Sequence, residues 1–213
     1  MAVTQKQLLA IFEGAFITLQ LTIIAIIIGL IFGLFFALAR ISKNKVLNTI
    51  SWTYIWVFRG TPLLLQILVI YFTLPSIGIR LNAFMSGIIA LSLNSAAYLA
   101  EIIRAAILSI DKGQMEASKA LGFSYYQAMF KIIIPQSYRR LIPPVGNEAI
   151  MLLKDSSLVS TMGITELLRT SRIMVNSNGD SIYYAIAAVI YLFFTTIFTL
   201  IFQKLEAKYS VYE

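Results

Sequence analysis

The stretch "GAFITLQLTIIAIIIGLIFGLFFALA", residues 14–39, contains no Asp, Glu, Lys or Arg. A helix rises about 1.5 Å per residue, so about 20 apolar residues cross a hydrocarbon core roughly 30 Å thick. This run satisfies that requirement, and we read it as a first membrane span. A cleaved signal is a poor alternative. The apolar part is too long, its leading flank is nearly uncharged, and no small-residue cleavage pattern ends it. Arg40, Lys43 and Lys45 follow it directly.

Working outward, charge-free runs recur at 60–79, 81–100 and 181–203. The chain of 213 residues is 59% apolar and only 13% charged. A soluble domain carries roughly 45–50% apolar and about 25% charged residues, and a core of this size could not bury four such runs. Disorder is excluded on the same grounds. The chain has no Cys and no His, so thiolate and imidazole chemistry, catalytic or metal-binding, are excluded.

We expect an all-α polytopic membrane protein of a single domain (1–213) with five transmembrane helices, at about 14–39, 53–77, 82–107, 136–157 and 181–205. The second holds Arg59, Gly60 and Pro62. Pro removes a donor and disfavours helix just before it, so this span either bends there or starts after Pro62. The fourth contains Pro143, Pro144 and Glu148 and is read as interrupted or tilted; its alternative is an amphipathic surface helix. Five spans put the N-terminus outside and the C-terminus in the cytoplasm. Arg40, Lys43, Lys45, Arg104, Lys112, Lys119, Lys131, Arg139, Arg140, Lys204 and Lys208 then share the cytoplasmic side, as the positive-inside tendency favours. The net charge of +7 fits anionic lipid headgroups and needs no nucleic acid.

Residues 111–144, "DKGQMEASKALGFSYYQAMFKIIIPQSYRRLIPP", are too polar to span. The pattern predicts a helix over 112–121, a turn at Gly122, and a second helix capped by Ser124 and ended by Pro135. Such a two-helix loop (about 111–135) suits docking of a soluble partner, or is only a solvated loop. The segment resembles the EAA loop of membrane subunits of ATP-binding-cassette importers: Glu-Ala-Ala, three residues, Gly, nine residues, Ile, one residue, Leu-Pro. Here Glu116, Ala117 and Ser118 precede Gly122, then Ile132, Ile134 and Pro135. Ser118 for Ala and Ile134 for Leu are the departures. "FRGTPLLLQI" (58–67), "SAAYLAEIIRAAILSI" (95–110) and "LLKDSSLVSTMGITELLR" (152–169) resemble, in order, stretches of the polar amino-acid (histidine/glutamine/arginine) permease branch. The likeness covers nearly the whole chain.

That resemblance implies a multi-pass permease subunit of the bacterial plasma (inner) membrane, paired with an identical or similar permease. It also implies cytoplasmic ATP-binding subunits that bind ATP and Mg, and an extracytoplasmic amino-acid-binding protein. Glu116, Ala117 and Gly122 would make the coupling contact to the ATPase. Ala117 and Ser118 are small enough for close approach, Gly122 permits the turn, and Glu116 sits early in its helix, where an anion is favoured. No G-x-x-x-x-G-K-[ST] occurs, so the chain itself is not expected to be an ATPase or to bind a cofactor or metal.

An importer needs polar groups at a discontinuity in its membrane region, and intramembrane ionisable residues are candidates by default. Asp155 or Glu166 could take a solute ammonium and Arg169 a carboxylate; Glu148 is a further candidate for solute contact, with Ser156, Asn94 and Tyr98 along the same path. Asp155 and Glu166 both facing one cavity would suit a basic amino acid. Simpler readings stand beside these. Lys154 and Asp155 are adjacent and need not share a face. In these readings Glu166 caps a short helix, Asn94 bonds between helices, and Arg59 snorkels or bonds backbone freed by Pro62. A gradient-driven transporter subunit would show an ion-coupled acidic site and no docking helices; a non-transporting scaffold would need no polar pathway.

Overall fold

The computed structural model describes residues 4–209, and among them all regular structure is helical. The helices are α1 (Gln5–Ile41), α2 (Lys45–Gly60), α3 (Leu63–Leu68), α4 (Ala83–Leu108), α5 (Lys112–Ala120), α6 (Tyr125–Ala128), α7 (Ile134–Asp155), α8 (Leu167–Asn178) and α9 (Ile182–Tyr209).

The centre of the bundle is the pair α1 and α4, which run side by side in the same direction. Gly29 faces Ser95, and Gly33 faces Ala96, Leu99 and Ala100. With no Cβ at these two positions the backbones come close enough for dispersion contact along the whole seam. Helix α2 turns back along them and is pinned by polar bonds: Ser51 Oγ donates to Phe36 O (2.7 Å) and Tyr54 Oη to Leu93 O (2.6 Å). Leu21, Ala25, Ile67, Leu91, Leu152 and Val159 form the main apolar core. Ile11, Ala15, Leu167, Met174, Tyr183 and Ala187 form a second, joining α1, α8 and α9.

The expectation of five spans is corrected. Among the described residues, three helices are long and apolar enough to cross a membrane: Gln5–Ile41, Ala83–Leu108 and Ile182–Tyr209. Lys45–Gly60 and Leu63–Ile77 make a fourth only if counted as one span bent by 104°. Residues 136–157 do not qualify, because Arg139, Arg140, Glu148, Lys154 and Asp155 all fall within or beside the helix Ile134–Asp155. Without a fifth span the odd count no longer places the N-terminus outside, or the C-terminus and the two-helix loop in the cytoplasm.

Two further expectations change. Pro135 does not end the second loop helix. A wide turn over Met129–Ile133 adds a residue to the helical repeat just before it. The chain stays helical from Tyr125 through Asp155, since the widened turn makes room where a proline ring would otherwise meet the preceding carbonyl. Pro143 and Pro144 also lie inside α7 without breaking it. The interruption comes later, where the tighter 3-10 turn Ser156–Met162 ends at Gly163 with φ 92°.

Candidate functional site

Helix α2 stops at Gly60, and Pro62 begins the next helical segment. The carbonyls freed there are met by side chains. Gln66 Nε2 donates to Phe58 O (2.9 Å), Thr61 O (3.1 Å) and Thr61 Oγ1 (2.9 Å). Asn94 Nδ2 donates to Phe58 O (3.1 Å) and Gln66 Oε1 (3.0 Å). Both side chains are buried. A broken helix in apolar surroundings needs such partners, because an unpaired peptide group there is costly.

Beside this break lies a cavity of about 340 Å³, lined by Arg59, Gly60, Thr61, Pro62, Leu63, Asn94, Tyr98, Glu148, Met151 and Asp155. The break supplies one wall. Helix α4 supplies Asn94 and Tyr98, four residues apart and hence on one face. Helix α7 supplies Glu148 and Asp155, two turns apart on its inner face. Arg59 does not bond the backbone freed by Pro62. Its Cζ lies 5.2 Å from the Tyr98 ring centroid, and its Nη1 is 4.0 Å from Glu101 Oε2. Glu101 is held more closely by Arg104 Nη2, at 2.8 Å. The lining therefore presents two carboxylates, one guanidinium, a phenol and an amide.

Four of the expected residues (Asn94, Tyr98, Glu148 and Asp155) are brought together here. Lys154 is exposed and outside the described lining, so it and Asp155 face different ways. Ser156 is fully buried, with its Oγ donating to Leu153 O at 2.7 Å. Glu166 caps α8. Its side chain accepts from Leu168 N (2.8 Å), Arg169 N (2.7 Å) and Tyr191 Oη (3.3 Å), and it is 0% exposed. The Arg169 guanidinium donates to Ser160 O. Arg59 and Gln66 were not among the expected site residues. A Gln four residues after a helix-breaking Pro, inside an otherwise apolar run, was the available signal for the second.

The second candidate surface is the α5–α6 hairpin. Asp111 caps α5 by accepting from Gly113 N at 2.7 Å. Gly122 has φ 84°. Gly122 N donates to Lys119 O (2.9 Å) and Phe123 N to Ser118 O (3.0 Å), a C-terminal lock that requires the left-handed residue. Ser124 caps α6 reciprocally with Gln127. Glu116, Ala117 and Gly122 are exposed. Glu116 lies in the second turn of α5 rather than at its start. Ser118 is 2% exposed and bonds Gln114 O at 2.6 Å, so it faces the bundle and not a partner. Gln136 Nε2 donates to Gln114 Oε1 at 3.2 Å, tying the hairpin to α7, and Arg140 donates to Ser109 O, tying α7 to the end of α4.

Among the described residues, no group of three or more acids is placed to hold a metal ion. The family model described as "Binding-protein-dependent transport system inner membrane component" matches residues 25–211. The chain is 40% identical over 201 residues to the L-cystine transport system permease protein TcyB of Bacillus subtilis (strain 168), covering 93% of this chain and 86% of that one. It is 40% identical over 169 residues to the putative glutamine transport system permease protein GlnP of Rickettsia prowazekii (strain Madrid E), covering 79% and 78%. A crystal structure of an amino acid ABC transporter with histidines superposes with a TM-score of 0.88 at 39% identity, covering 98% and 100%. ATP hydrolysis in such a complex resides in a separate subunit, and this chain is its multi-pass membrane component. The chain belongs to the family of binding-protein-dependent transport system inner membrane components, as a permease subunit of an ABC importer.

Proposed function

We propose that this permease forms the translocation pathway for a polar amino acid, and that the solute meets the chain in the cavity at the α2–α3 break. The single observation carrying this is the convergence of Glu148, Asp155, Asn94, Tyr98 and Arg59 on one space of about 340 Å³. Asp155 and Glu148 take the ammonium groups, Arg59 takes the α-carboxylate, and Asn94 and Tyr98 fix orientation. Two carboxylates against one guanidinium leave the lining one negative charge in excess, so a cationic side chain such as that of arginine or lysine completes the balance. Glu166, Arg169 and Ser156 do not line this cavity and serve the scaffold, bonding backbone around it.

In this reading the chain pairs with a second identical or similar permease. An extracytoplasmic binding protein delivers the amino acid. Cytoplasmic ATPase subunits, which bind ATP and Mg, dock on the hairpin through Glu116, Ala117 and the Gly122 turn. Calorimetry on the assembled complex tests the site: arginine or lysine binds, and D155N weakens binding. Glutamine binding without arginine binding would remove the cationic preference while leaving the cavity in place. The chain purified alone shows no ATP turnover; turnover without an ATPase subunit would overturn the division of labour.

A further inference from the structure

A second groove, of about 410 Å³, adjoins the solute cavity and shares Arg59 and Gly60 with it. It is lined by Arg40, Trp52, Ile55, Trp56, Arg59, Gly60, Glu101 and Arg104. Three guanidinium groups face one carboxylate, Glu101, which Arg104 already holds through two bonds of 2.8 and 3.0 Å. Arg40 is oriented by Asn48, whose Oδ1 accepts from its Nη1 at 2.6 Å and whose Nδ2 bonds Arg40 O. Trp52 and Trp56 are stacked, with ring centroids 6.0 Å apart and planes 9° apart, and are 49% and 63% exposed.

Position gives the groove its meaning. Arg40 is the first charge after the uncharged run 14–39, so it marks where the hydrocarbon layer ends. Exposed tryptophans at that level sit comfortably among headgroups, with the ring against acyl carbons and the N–H toward polar groups. Guanidinium forks match phosphate oxygens in pairs. We propose that this groove binds the phosphate headgroup of an anionic phospholipid, with Arg40 and Arg104 on the phosphate and the tryptophan pair against the upper acyl chains.

Trp52 and Trp56 are the only tryptophans in the sequence, so fluorescence reports on this groove alone. The full chain is placed in bilayer discs containing phosphatidylglycerol or phosphatidylcholine brominated near the top of the acyl chain. Brominated phosphatidylglycerol quenches at a lower mole fraction than the phosphatidylcholine. R40Q reduces that preference about fivefold, the effect of one cation at a lipid surface. E101Q, which removes the neutralising carboxylate, increases it. K43Q, a change of the same charge outside the groove, leaves it intact and guards against misreading a folding defect. Equal quenching by both lipids overturns the proposal, as does an equal loss in K43Q and R40Q. Abolition of the preference by excess inorganic phosphate would assign the groove to a free anion and overturn the lipid. No quenching by either lipid would mean that protein covers it.

Discussion

Along the α1–α4 seam, Gly29 and Gly33 lie against Ser95, Leu99 and Ala100 of a neighbour that runs in the same direction. Along α7 only Gly146 makes a comparable approach, to the Phe202 ring of α9; the rest of the helix carries Arg139, Arg140, Glu148, Lys154 and Asp155. The seam is held by backbone proximity and apolar burial, which any substitution of larger volume disturbs. Helix α7 is held by a few specific side chains and keeps its charges for other work. The two are therefore expected to differ in what a mutation removes: stability in the first and, on the proposed function, binding in the second.

The largest effect is expected on the seam. A Cβ at Gly33 falls 2.8 Å from Leu99 Cβ and 3.2 Å from Ala100 N and Ala96 O, so G33L overpacks against backbone and costs about 3 kcal/mol. Thermal melting of the purified chain checks this. G146A is the matched change on α7. Its Cβ meets the Phe202 ring at 2.7 Å, but that contact is a side chain that can swing, so the loss is smaller. Equal losses would erase the contrast.

Next come E148Q and D155N. Each removes a charged partner of the solute and weakens amino-acid binding in the assembled complex by roughly ten- to a hundredfold, about 2 kcal/mol. Melting temperature stays close to that of the parent protein. If melting collapses instead, these acids are structural and α7 resembles the seam after all.

Smaller effects sharpen the boundary between the two regions. E166Q weakens the acceptor for Leu168 N and Arg169 N and costs about 1 kcal/mol, visible as faster amide exchange at the start of α8. Unchanged exchange with weakened amino-acid binding would move Glu166 from the scaffold to the solute site. G122A forces a side chain into φ 84° with open space around it, so only backbone strain counts, about 1 kcal/mol. It lowers co-purification of the ATPase more than it lowers the melting temperature. The reverse order would detach the hairpin from docking.

The seam was legible in the sequence because hydropathy measures what it is made of. The presence of α1, α4 and α9 follows from uncharged runs, although each helix extends beyond its run, α1 by starting at Gln5; the bend at Gly60–Pro62 follows from proline stereochemistry. The caps at Ser124 and Glu166 were open to the same local reading. Helix α7 was misread as a span. Its charges fail every length-and-composition test, and what keeps it helical through Pro135 is a widened turn that no residue type announces. The cavity was half legible. Asn94 with Tyr98, and Glu148 with Asp155, have helical spacing. Their convergence depends on how α4 and α7 pack, and the sequence alone does not carry that. Gln66 was hidden for a related reason: its importance comes from carbonyls that only the bend exposes.

One feature of α6 and α7 has mechanical weight. Tyr125 and Asp155 sit on the same continuous helix, so the end proposed to meet the motor and the end proposed to hold the cargo belong to a single strut. A push at the hairpin is felt at the carboxylates without passing through a flexible joint. Two glycines inserted near Gln136 would make such a joint, and the motor would then run, burning nucleotide, while the cargo stayed where it was.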